Sequence, residues 1–399
     1  MKRDSREDSS ATRRQYLKVG GAALTGTLLA GCTGDSDGGE PSETGTSEAT
    51  GTDAPTGTDA STETSEEESS DGPYSVSMTP VGEVQFESVP ETWVANNGSW
   101  ADMGIALGLE PPKGVWLPSR YHTQYYDDIP NVSVDKSAIK QLWGDSLGKE
   151  QFYELDADVH IADPNFLMNR AKWKQGDIDE IENQIGPFFG NSIFSRGYPW
   201  HDYDYLSLMD AFGKFAEVFQ RTDRYEAMVT VHEEFQSNLS SVIPGESERP
   251  NVAVIWGGGD QPEQFYPYVI DEGTSFKHLR DLKVGDALAQ TDVKNFHESR
   301  GAIDFETLLE VDPETILIRG QEAKSAEEFQ NTVVSFMENH DVASALTAVQ
   351  NGDVYRAGGL YQGPITNLVL TERLAADLYG ADAELYDRQR VSAIVNGDL

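Results

Sequence analysis

Cysteine is almost absent from this chain: Cys32 is the only one among 399 residues. No disulfide can form within one molecule, so the fold depends on its core. Basic residues are scarce too, with 30 Lys and Arg against 68 Asp and Glu. Positions 33–72 go further. They contain no Lys or Arg, no aromatic residue and no Leu, Ile or Val, but 12 acidic residues among Gly, Ser, Thr, Ala and Pro. Such a segment cannot bury enough apolar surface to offset the entropy of ordering, which predicts a disordered, self-repelling linker. Also missing is any apolar run of about 20 residues, the length that spans a bilayer. Past the linker, 24 basic residues face 53 acidic ones. That balance excludes nucleic acid, which needs a basic footprint, and an anionic membrane surface as a direct partner.

What the N-terminus does contain is informative. Arg13-Arg14 precede a short apolar run from Val19 to Leu28, and Leu29-Ala30-Gly31-Cys32 follow. Paired arginines before a short apolar segment predict a twin-arginine export signal over 1–32. Leu-Ala-Gly-Cys resembles a lipobox. The resemblance implies that cleavage leaves Cys32 as the N-terminus, lipidated and anchored on the outer face of the cytoplasmic membrane. The dispersed acid is similar to haloarchaeal protein surfaces. In molar salt the Debye length falls to about 3 Å, so self-repulsion is screened.

The remaining residues are enough for two cores. Short apolar runs alternate with amphipathic stretches. Strands are expected at Thr92–Ala95, Gly114–Leu117, Val159–Ala162 and Pro187–Phe189, then at Val252–Trp256, Thr315–Ile318 and Val354–Arg356. Helices are expected between them, as at Trp100–Leu109 and Asp304–Glu310. This alternation predicts an α/β protein with parallel strands. Between the two sets, apolar residues recur every three to four positions from Tyr205 to Phe219. The pattern restarts at Tyr225 and runs to Val242, ahead of Pro244-Gly245. About 20 helical residues reach roughly 30 Å, enough to link two lobes. The expected organisation is an N-terminal lobe over 73–203, linking helices over 204–249 and a C-terminal lobe over 250–399.

An internal repeat supports two related lobes. Glu150–Ile161 aligns without gaps on Glu306–Leu317, with Glu150/Glu306, Glu154/Glu310 and Asp156/Asp312 identical. Each copy reads as a helix, an acidic turn and a buried strand.

With these features in order, residues 74–399 resemble the substrate-binding proteins of iron–siderophore and cobalamin ABC importers. The matching stretches are Thr92–Pro112, both repeats, the Asp223–Val242 helix and Ala348–Tyr355. The chain departs from that pattern in an aromatic-rich, acidic insert around Tyr198–Tyr205. The resemblance implies two Rossmann-like lobes joined by one long rigid helix, a chelate held between them, an ABC permease and its ATPase as partners, and a monomer without cofactor. The favoured ligand is a ferric siderophore or similar iron chelate; cobalamin and haem are alternatives. The resemblance also implies one acidic docking residue per lobe, placed here at Glu150 and Glu306. Both also suit the positive end of a helix.

In such a fold ligand meets the loops at the C-terminal ends of strands. This selects Ser99, Trp100, Arg120, Tyr121, Arg170, Arg196 and Trp200 in the first lobe. In the second it selects Trp256, Tyr266, Arg300 and Tyr361, with Arg319 and Gln362 on the same loops. Aromatic faces cover a bulky chelate and arginines pair with anionic oxygens. The seven histidines have no metal-ligand spacing, so no metal site is expected. Tyr121, Tyr125 and Tyr126 with Asp127 and Asp128 form a rival set for bare ferric iron. An enzyme anchored at the surface is the rival of another class. It lacks a nucleophile elbow, a phosphate-binding glycine loop and a His-Glu-x-x-His motif. Asn97, Asn131 and Asn238 match glycosylation acceptors.

Overall fold

The alternating apolar runs form strands that pair mostly in parallel. A computed structural model describes residues 72–143 and 147–399; Cys32, the export signal and the linker up to position 71 lie outside the described residues. A hairpin of β1 (Tyr74–Met78) and β2 (Gly82–Phe86) opens the described chain. The first sheet holds β3 (Trp93–Ala95), β4 (Gly114–Val115), β5 (Lys140–Gln141) and β6 (Val159–Ile161), in the order β5-β4-β3-β6, all parallel. The second holds β7 (Asn251–Trp256), β8 (Tyr266–Tyr268), β9 (Gly285–Asp286), β10 (Thr315–Arg319) and β11 (Val354–Arg356). Its path is β11-β10-β7-β8, with β9 also paired to β7 and β8 the one antiparallel member. The fold class is the expected one: α/β with parallel sheets. Pro187–Phe189 contributes only a single bridge, Phe188 to His160. The opening hairpin, whose Val76, Met78 and Phe86 are buried, and the short strands β5, β8 and β9 are not expected from the sequence; β5 and β9 are only two residues long and β8 three, with a proline at its centre.

The internal repeat is a structural repeat. Helices Lys149–Leu155 and Phe305–Val311 both end on an aspartate in the left-handed conformation, Asp156 and Asp312, each at φ 44 and ψ 62. Aspartate tolerates that region better than most non-glycine residues. Two residues on, each copy places an acid on the neighbouring strand's start. Asp158 accepts the Thr92 N–H at 2.7 Å, ahead of β3, and Glu314 accepts the Asn251 N–H at 2.9 Å, at the head of β7. The shared acids thus end a helix and pair backbone groups where each sheet begins.

The long helix covers Thr222–Val242 and buries Met228, Val231, His232, Phe235 and Leu239 along one face. That face meets Leu208–Val218, Pro364–Tyr379 and Arg388–Asn396. Residues 364–396, expected within the second lobe, thus pack on the helices beside the first sheet, and Pro364–Tyr379 also meets Lys277–Asp281 of the second half. The contact is sealed at Asp102, which is fully buried on the helix Gly98–Ala106. Its carboxylate accepts the N–H groups of Ile365 and Thr366 at 3.0 and 3.1 Å and the Tyr126 hydroxyl at 2.6 Å. The helix Pro364–Tyr379 begins at Gly363, which has no side chain to cap it. Asp102 supplies that cap from far along the chain.

Candidate ligand-binding site

The C-terminal ends of the two sheets face each other, and residues from both interlock there. The first-sheet loop 193–196 accepts main-chain bonds from the second half: Thr274 N–H to the Ile193 carbonyl at 3.0 Å and Ser275 N–H to the Phe194 carbonyl at 3.4 Å. Arg196 returns its own N–H to Asp271 at 3.2 Å. Around this seam lie three buried tyrosines. Tyr198 follows that loop, Tyr268 ends β8, and Tyr361 follows β11. Tyr198 and Tyr268 both pack edge-on against His297, at 5.5 and 5.3 Å. Tyr361 packs edge-on against Phe194 at 5.3 Å.

Four arginines converge on these rings, two from each half. Arg120 stacks over Trp256 at 4.6 Å and bears electrostatically on the Tyr361 hydroxyl. Arg170 and Arg300 bear electrostatically on Tyr198, and Arg300 and Arg319 on Tyr268. Among the described residues none of the four forms an ion pair with a carboxylate. Arg319 is the most unusual. It is fully buried at the end of β10, packed over Phe276 at 4.3 Å and Tyr268 at 5.2 Å. One Nη donates to the Ser275 carbonyl, while Nε and the other Nη have no partner. Burial lowers its guanidinium to about 10, still cationic at neutral pH. Buried N–H groups without acceptors are rare and costly. The same seam holds further unpartnered atoms, the hydroxyls of Ser195, Thr274 and Ser275 and both ring nitrogens of His297. Burial, with Arg300, Arg319 and Arg170 adding to it, lowers His297 to about 4 and keeps it neutral. The arrangement is a positive, hydrogen-bond-rich seam inside an acidic protein, suited to an anionic ligand of some size.

Several candidates from the sequence stand elsewhere. Trp100 is core, its ring 6.0 Å from Phe215, because the first turn of its helix faces Leu208–Val218. Ser99 is fully buried beneath the start of the helix Pro364–Tyr379. Tyr121 is buried with its hydroxyl 2.9 Å from that of Tyr126, in the Asp102 cap. Arg196 stacks on Tyr205 at 3.9 Å and lines a cavity of about 470 Å³ with Asp271 and Lys294. The bare-iron set is also overturned. The Tyr125 hydroxyl is committed to Glu322 and that of Tyr126 to Asp102. Asn97 is buried as a helix cap, bonded to Ser99 N–H, so it offers no glycosylation site. No group of three His, Cys, Asp or Glu side chains able to hold a metal occurs among the described residues.

Arg120, Arg170, Trp256, Arg300 and Tyr361 do come together. Trp200 and Tyr266 sit at the rim, Trp200 stacked on Tyr198 at 4.9 Å and Tyr266 against Phe296 at 4.7 Å. Tyr198 and Tyr268 lie in strand-end loops that the sequence points to, Arg196–His201 and Trp256–Tyr268, without being singled out, and His297 is missed altogether. Tyr268 shares the face of Tyr266, two positions apart on one strand, and that spacing was the available clue. Nothing local marks His297. Glu150 and Glu306 are both exposed in the first turn of their matched helices.

A family model described as periplasmic binding protein matches residues 143–359. No curated protein matches the sequence. Among solved structures, a periplasmic binding protein from Veillonella parvula superposes with a TM-score of 0.53 at 16% identity, over 78% of this chain and 99% of its own. The petrobactin-binding protein YclQ from Bacillus subtilis gives 0.52 at 14%, over 78% and 99%. The iron-uptake ABC transporter substrate-binding protein PiuA from Streptococcus pneumoniae gives 0.50 at 15%, over 75% and 96%. At these identities the likeness is one of fold.

Proposed function

This chain belongs to the family of periplasmic binding proteins, and on that premise we propose that it captures a ferric siderophore or similar iron chelate outside the cell. Members of the family are transport components rather than enzymes, and work with an ABC permease and its ATPase. The observation that carries the ligand reading is the set of four arginines about the seam without ion-pair partners among the described residues, with Arg120 over Trp256 at 4.6 Å and the buried Arg319 over Tyr268 at 5.2 Å, its Nε and one Nη unpartnered. In a chain with 68 acidic residues, such a patch of unpaired arginine favours an anionic guest. The iron-related names of two of the fold neighbours agree with this reading. Ligand enters between the lobes, and the loaded receptor docks through Glu150 on one lobe and Glu306 on the other. Cys32, lipidated, holds the receptor at the membrane through the acidic linker.

The test is titration of the protein in molar salt with ferric chelates and with cobalamin, read by intrinsic tryptophan fluorescence; Trp256 under Arg120 is the reporter. A ferric chelate should bind, and Arg120→Ala should weaken it by about 2–5 kcal/mol, as expected for losing one desolvated charge partner. Cobalamin binding without response to any ferric chelate defeats the proposal.

A further inference from the structure

The seam has a second wall that the arginines do not explain. Past the ends of the first-sheet strands the chain presents aromatic rings in contact. Trp143, two residues beyond β5, stacks on Trp116, one residue beyond β4, at 4.6 Å and 20°. Trp116 meets Phe166 edge-on at 5.0 Å, and Phe166 meets Trp200 at 6.4 Å. Trp200 stacks on Tyr198 at 4.9 Å and 21°. The order follows from the backbone ladder, which runs on past the strands. Trp116 N–H donates to the Asn96 carbonyl and Trp143 N–H to that of Trp116, so the rings stand side by side on the end of the sheet. Trp143 and Trp200 remain half-exposed. Arg170 lies one helical turn beyond Phe166, on the same face of Pro164–Arg170.

We propose, resting on the iron-chelate reading above, that the ligand is a polyanionic ferric complex with aromatic donor groups, of the catecholate type. Two features combine to separate the chelate classes. Three dianionic catecholates leave ferric iron with a triple negative charge and present planar rings outward. Three hydroxamates neutralise the metal and present aliphatic arms. Half-exposed indole faces favour planar rings by stacking, and four arginines unpaired with carboxylates favour high negative charge. An aliphatic neutral chelate would leave both features without a partner, Arg319 above all. Haem is planar, but its carboxylates are on one edge, whereas the arginines approach from both halves.

Equilibrium dialysis in molar salt, with bound iron read by atomic absorption, tests this with three probes: the ferric complex of a tripodal tris-catecholamide, ferric desferrioxamine B and haemin. The catecholate should bind about 100-fold tighter than either of the others, and Trp200→Leu should weaken it about three- to tenfold. Equal or tighter binding of ferric desferrioxamine or haemin overturns the chelate class and leaves the iron-receptor reading standing. Failure to bind any of the three overturns both. A catecholate affinity unmoved by both Trp200→Leu and Trp143→Leu removes the aromatic wall from the argument and overturns the inference.

Discussion

Glu322 offers the sharpest test of what holds the two halves together. It follows β10, and its carboxylate is almost fully buried, with a side-chain exposure of 1%. It receives Arg373 Nη1 at 3.1 Å and the Gly358 N–H at 2.7 Å, and the Tyr125 hydroxyl from the first half also donates to it. The Gln124 side chain donates to its backbone carbonyl at 2.7 Å. Burial pushes the carboxyl up, but Arg373 and the Tyr125 hydroxyl outweigh it and hold it at about 2, below an ordinary 4.5. Glu322→Gln keeps the shape and one acceptor but strands the Arg373 guanidinium. Breaking one side of a buried pair typically costs about 3–5 kcal/mol. The pH dependence has a definite sign. A depressed carboxyl stabilises the fold above its unfolded value, so the contribution is complete above pH 4.5 and fades as pH falls toward 2. A displacement of that size corresponds to about 3 kcal/mol. Urea unfolding at fixed salt should show wild type more stable than the variant by about 3–5 kcal/mol at pH 7, with the gap closing toward pH 2. Glu322→Gln with Arg373→Met should recover most of the loss. A variant within 1 kcal/mol of wild type at pH 7, or a gap that persists in acid, would refute the reasoning.

Glu150→Ala combined with Glu306→Ala should preserve folding and ligand affinity but abolish uptake in cells, measured with radioactive iron; normal transport would leave only helix-end stabilisation of about 0.3–1 kcal/mol for each. Cys32→Ser should release the protein into the medium or leave an uncleaved precursor, seen by fractionation and intact mass; unchanged processing and membrane association would exclude the lipid anchor. Gly363→Ala should destabilise by about 1–3 kcal/mol, the usual range for overpacking. Its new Cβ would lie 2.4 Å from the Asp102 carboxylate and 2.7 Å from the Ser99 carbonyl, and Asp102 is held in place by three donors. A thermal midpoint equal to wild type would contradict that close approach.

Features governed by local physics are legible along the chain. Short β-branched apolar runs at Val252–Trp256 and Thr315–Ile318, flanked by Pro250, Pro313 and glycines, read as buried strands. The three- to four-residue spacing from Tyr225 to Val242 can only bury one face as a helix. The repeated Glu…Asp pattern carried its meaning with it, because Asp156 and Asp312 each end a helix and the acid two residues later meets the next strand. Other features arise only from long-range packing. Trp100 and Trp256 look alike in sequence, each near the C-terminal end of an expected strand. The first points into the core and the second lies under Arg120 from the other half. Arg319 differs from its candidate neighbours only by burial, which comes from Phe276, Tyr268 and the Ser275 carbonyl, none of them adjacent in sequence. The cap of Pro364–Tyr379 comes from Asp102, and no local pattern encodes a donor–acceptor pair separated by most of the domain. A binding site between two sheets is made of such long-range pairs, because burial and charge balance belong to the closed assembly and to no single segment of it.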